Sequence, residues 1–173
     1  ITATGREAMR LVMGLTAEML LYIGANADDM TTSSSQIKIF GNVMTSAAHR
    51  MVNKRVSYSM VFKVMVNTIR PFDSPLHTHQ YFFGDVLFYL EYSGVHYVVV
   101  SLYQMERDPK TSMFYIGDRE GRKKTVVLEA HSIVGPAGLL GNGETPLRNY
   151  VFWKSMVIGV DTSEQRCGRI DSL

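Results

Sequence analysis

The sequence predicts an α+β domain, an antiparallel β-sheet packed against helices, with an apolar amino-terminal helix on a polar tether. Apolar residues recur at helical spacing near the start and in the middle of the chain, one long run alternates with a period of two, and further apolar runs are separated by turn formers. At 173 residues, 46% hydrophobic and 20% charged, the chain is long enough for one sizeable core and too apolar to stay disordered. The 18 Lys and Arg against 16 Asp and Glu leave a net charge of +2, which excludes a polyelectrolyte and leaves room for a local basic patch. The single cysteine, Cys167, excludes an intramolecular disulfide framework and a cysteine-cluster zinc site, as expected for a reducing setting.

Thr4 and Glu7 stand at capping-box spacing, so a helix is predicted over 5–23, stopped at Gly24. Met9, Val12, Met13, Leu20 and Ile23 share one side, yet Leu11, Leu15, Met19 and Leu21 make the helix apolar nearly all round, which asks for a partner surface and predicts self-association. Its apolar stretch is shorter than the roughly 18–20 residues that cross a bilayer and contains Glu18, so no transmembrane helix is predicted. The first residue is Ile1 rather than Met, so the native amino terminus is expected to be missing or processed, and signals that would stand there are not legible in this sequence. Residues 26–36 are polar, with Asp28, Asp29 and three consecutive serines, and read as a loop. The expected organisation is a helix and flexible linker over 1–36 and one α+β globular domain over 37–173.

Between 56 and 70, Val56, Tyr58, Met60, Phe62, Val64 and Val66 alternate with Ser57, Ser59, Lys63 and Asn67, the pattern of a half-buried strand closed by Pro71. Phe82, Phe83, Val86, Leu87 and Leu90 fall at helical spacing before Ser93-Gly94, predicting a helix over 80–92 with a glycine stop. The run 95–104 has Val98-Val99-Val100, which favours a buried strand by propensity. Residues 112–116 and 123–133 are expected to form a hairpin around Asp118-Arg119-Glu120-Gly121. Residues 135–146 are glycine- and proline-rich and read as a loop with Leu139-Leu140 at its tip. A closing hairpin is expected from 149–160 and 166–171.

Little in the chain points to catalysis. Cys167 precedes Gly168, as the nucleophile does in some viral cysteine proteases, but only six residues follow it, too few for the strands of a substrate pocket; a buried structural thiol is expected. His77 and His79 offer two imidazoles where zinc needs three or four ligands. Neither a G-x-S-x-G elbow nor a phosphate loop is present. The expectation is no enzyme activity, no catalytic or metal-binding residue, no cofactor and no small-molecule substrate.

Basic residues gather instead around loops. Arg119, Arg122, Lys123 and Lys124 lie at the expected hairpin tip, and Arg50, Lys54 and Arg55 precede the long strand, a distribution suited to phosphates of RNA or lipid. Leu139 and Leu140 are expected on the surface as an apolar contact with membrane or a neighbouring subunit, together with Leu11, Leu15 and Met19 of the first helix.

From residue 56 onward the order of elements resembles a rhabdovirus matrix protein. The resembling pieces are the long strand running into Arg70-Pro71-Phe72, a helix before Tyr92-Ser93-Gly94-Val95-His96, Lys123-Lys124-Thr125-Val126-Val127, Gly135-Pro136, and the closing segment through Val157-Ile158-Gly159 to Gly168-Arg169-Ile170. The resemblance implies a helix over 95–104, against the propensity of that run. It also implies a non-enzymatic protein of the virion, beneath the envelope and at the cytoplasmic face of host membranes. Such a protein forms homo-oligomers, binds the viral nucleocapsid and an anionic membrane surface, and drives budding. The alternative from another class is a viral capsid or coat subunit contacting RNA through the same basic loops, distinguished by the eight strands of a jelly roll.

Overall fold

The computed structural model describes residues 32–34, 36–39, 42–46, 58–68, 76–117, 122–141, 143, 148–154 and 166–173. These residues form eleven strands: β1 (Thr32–Ser34), β2 (Gln36–Ile39), β3 (Asn42–Thr45), β4 (Ser59–Thr68), β5 (Leu76–Tyr92), β6 (Val95–Tyr103), β7 (Met105–Arg107), β8 (Phe114–Ile116), β9 (Lys123–Glu129), β10 (Ile133–Gly141) and β11 (Asn149–Trp153). β2 and β3 pair only with each other, and the others form one antiparallel sheet in the order β7-β8-β11-β10-β4-β5-β6-β9, with β1 added beside β5. Beyond strands, only two short 3₁₀ turns, Ala130–Ser132 and Ile170–Ser172, have regular structure over several described residues. The α+β expectation is therefore corrected: the described chain is a curled, half-barrel β-sheet with no helix packed on it.

β5 accounts for the largest correction. Where a helix was predicted over 80–92, Phe82, Val86 and Tyr89 line one core and Phe83 and Leu90 lie in two others. The register between β5 and β6 slips between Val86 and Phe88, so one extra residue reverses the alternation of the strand. Inward residues then stand at 82, 86 and 89, the spacing of a helix face, and burial on both sides removes the polar alternation of a strand. Ser93 and Gly94 both have positive φ, 51° and 77°, so the pair taken as a helix stop is the tight turn joining β5 to β6. Strand propensity prevails at 95–104, and the helix implied there by the family resemblance is absent. Gly84 has a steric reason: a Cβ there would lie 2.6 Å from the Ser101 carbonyl oxygen.

Four more expectations change. β8 pairs with β7 and β11, while β9 pairs with β6 toward the other end of the path, so 112–116 and 123–133 are not a hairpin. Residues 133–141 are a strand rather than a loop, and within the polar tether Thr32–Ser34 pairs with β5. Residues 166–173 form no hairpin with β11; they make a strap across the sheet. The amino-terminal helix, with Leu11, Leu15 and Met19, lies outside the described residues, as do Arg50, Lys54, Arg55 and Arg119.

Connection lengths account for the curl. β9 and β10 lie four strand spacings apart along the path, about 19 Å if flat, yet only four residue steps, at most about 14 Å of chain, link Glu129 to Ile133. The sheet must bend, and it encloses Met60, Phe62, Phe82, Val86, Val98, Val100, Leu128 and Ile133. At the other end Gln104 alone separates β6 from β7, six spacings away. That half folds back on the opposite face, enclosing Val61, Phe83, Met105, Phe114, Ile116, Val151 and Trp153. β4, β5 and β6 consequently carry a core on each face.

Candidate functional site: a basic corner around Gln104

Gln104 lies where the chain leaves β6 for β7. Beyond that point β6 no longer covers the edge of β5, and the strap takes its place: Tyr81 N–H donates to the Arg166 carbonyl (2.8 Å) and Gly168 N–H donates to the Tyr81 carbonyl (2.9 Å). The Gln104 side chain clamps the strap. Its Nε2 donates to the Gly168 carbonyl at 3.4 Å, and its Oε1 accepts from Ile170 N–H at 3.2 Å. A backbone bond from Gln104 N–H to the Arg122 carbonyl, 3.2 Å, sets the start of β9 beside the same corner. Gly168 is seated so closely on Phe82 that a Cβ would lie 2.0 Å from its ring, and Ile170 is buried in the first core.

This construction brings the strap, which carries Arg169, to the start of β9. Arg122 Nη2 lies 2.7 Å from Asp171 Oδ1, Lys124 Nζ donates to the Leu173 carbonyl oxygen at 2.7 Å, and Lys123 Nζ rests 5.1 Å from the centroid of the Tyr103 ring. These are exposed or half-exposed partners, of the kind worth at most about 1 kcal/mol to stability, so an incoming phosphate can replace them. The Tyr103 hydroxyl in turn donates to Asp85 Oδ2 (2.7 Å), whose Oδ1 accepts from Ser59 Oγ (2.6 Å). Of the sequence-predicted basic residues, Arg122 and Lys124 bond to the strap, whereas Lys123, over the Tyr103 ring, lies on the opposite face of β9. Arg169 and Gln104 escaped the sequence reading because 45 and 18 residues separate them from Lys124 and Arg122 respectively.

Leu139 and Leu140 are split by the alternation of β10. Leu139 packs against the second core, whereas Leu140 is 60% exposed, so the pair is not an exposed loop tip. Cys167 is half-buried beside Tyr81, and burial raises its thiol pKa.

A second polar cluster has a structural explanation. Asp108 is buried, with Oδ2 accepting from Tyr150 Oη (2.7 Å) and Arg148 Nη1 (2.8 Å) and Oδ1 accepting from the Lys110 and Thr111 amides. The Tyr150 bond, then the Lys110 amide, hold its carboxyl at about 2, and the arrangement ties the turn after β7 to β11. Among the described residues no group of three or more His, Cys, Asp or Glu is placed to hold a metal ion, and no helix is long and apolar enough to cross a membrane. No protein-family model, no curated protein and no solved structure matches the chain.

Proposed function

We propose that the protein is a non-enzymatic viral assembly protein of the matrix type. It self-associates and links a ribonucleoprotein to the inner face of an anionic membrane, acting within the virion and at the cytoplasmic face of host membranes. The observation that supports this reading best is the corner around Gln104, where the strap that carries Arg169 meets the start of β9 and bonds to Arg122 and Lys124. Flexible cations held by weak surface partners suit phosphates of either lipid or RNA. A coat subunit contacting RNA is the second reading, favoured by the strand-rich body. Its strands follow one curled path instead of the two separate sheets of a jelly roll.

Sedimentation with phosphatidylserine-containing vesicles, with pure phosphatidylcholine vesicles and with single-stranded RNA, over a salt series, tests the proposal. Binding to the anionic vesicles is expected to fall steeply with salt. Replacing Arg122, Lys123 and Arg169 by Ser is expected to weaken it about 100-fold, at about 1 kcal/mol for each cation. RNA binding without vesicle binding favours the coat reading, and binding of neither refutes both.

A further inference from the structure

We infer that the free edge of β9 is a self-complementary surface on which a second copy of this chain adds antiparallel, continuing the sheet across a two-fold axis. Among the described residues the sheet path ends on β7 and on β9. β7 has three residues and ends at Arg107, two residues before Pro109, whereas β9 has seven and carries Thr125-Val126-Val127-Leu128 at its centre.

Backbone parity shows which groups face outward. The bond from Gln104 N–H to the Arg122 carbonyl makes those two a hydrogen-bonded pair, and β6 and β9 run on from it without a register shift. Lys124, Val126 and Leu128 therefore turn their amides and carbonyls toward β6. Lys123, Thr125, Val127 and Glu129 turn theirs to the open edge, where the Glu129 carbonyl also accepts from Ser132 Oγ at 2.7 Å. The same alternation holds elsewhere: Val86 N–H bonds to Tyr58 on the β4 side of β5, while odd-numbered Tyr81 bonds to the strap on the β6 side.

A two-fold axis through Val126 pairs the outward groups with one another. Lys123 then lies opposite Glu129 of the second copy, Thr125 opposite Val127, and Val126 opposite itself. Each dyad thus sets two lysine–carboxylate pairs directly across the new ladder and leaves no like charges opposed. The strap does not occupy this edge through its apolar residues, since Ile170 and Leu173 pack into the core on one face of the sheet. This pairing rests on the proposed assembly role and names the surface through which that assembly starts.

Analytical ultracentrifugation over a concentration series tests it on the full chain. Lys123→Glu and Glu129→Lys are each expected to weaken self-association at least tenfold by placing like charges across the dyad, and the double exchange is expected to restore it. Thr125→Pro removes an outward amide that β6 does not use and is expected to give a folded monomer. An association unaffected by the charge exchanges and by Thr125→Pro overturns the β9 pairing while leaving the assembly reading intact. A parent protein that stays monomeric at the highest concentration overturns both the pairing and the self-association it rests on.

Discussion

Asp108 shows how one side chain secures a turn that carries no apolar anchor of its own. Four donors, from Tyr150, Arg148 and two turn amides, converge on its carboxylate, and the Arg148 guanidinium lies 4.8 Å from the centroid of the Tyr115 ring. Its pKa falls from an ordinary 3.8 to about 2 in the folded chain. For a depressed carboxylate, the contribution to stability is complete above the unfolded pKa and disappears as pH falls through the folded one. Urea melts followed by the fluorescence of Trp153, the single tryptophan, should therefore lose stability between about pH 4 and pH 2. In Asp108→Asn this part of the acid limb should flatten; an unchanged slope would exclude the carboxylate as its source. Tyr81 and Phe114 stack on either side of Trp153 with centroids 5.9 and 5.8 Å away, so its emission reports on the second core.

At the scale of elements, β10 decides what Leu139 and Leu140 do. A pair of leucines between glycines suggests one shared role, but on a strand neighbours face opposite ways. Leu139→Ser is expected to destabilise the protein by roughly 1 kcal/mol, since a fully buried leucine contributes about 1.5–3 and this one is half-buried. Leu140→Ser is expected to stay within about 0.5 kcal/mol of the parent. Equal losses in separate urea melts would refute the split. β4 was legible because Met60, Phe62 and Val66 alternate against Lys63 and Met65, which are exposed, and Val61 alone breaks the pattern by entering the second core. β5 was not legible, since its bulge and its two buried faces produce the periodicity of a helix.

For the whole molecule, two bends, at Gln104 and at Ala130–Ser132, turn one sheet into two enclosed cores. The strap closes the end of the first, and Gln104 holds it with one donor and one acceptor. Gln104→Ala should remove bonds worth about 1–2 kcal/mol together, lowering hydrogen-exchange protection of the Ile170 amide by about tenfold. Protection unchanged at Ile170 would show that packing of Ile170 and Leu173 alone retains the strap. The strap carries Arg169 and bonds to Arg122 through Asp171, so the same variant is expected to reduce binding to phosphatidylserine vesicles, linking closure of the fold to the basic corner.

The amino-acid order alone determined what depends on neighbours along the chain. It specified the alternation of β4, the strand propensity of Val98-Val99-Val100 and the basic run Arg122-Lys123-Lys124. Only the tertiary structure decided which face each residue of β5 and β6 buries, because both strands have a core on each side and a two-sided strand carries no polar alternation to read. Only the tertiary structure could bring Gln104 and the strap to Arg122 and Lys124. A hydrogen bond across the sheet depends on distance in space, and these residues reach one another through the curl and the strap rather than through any spacing in the sequence.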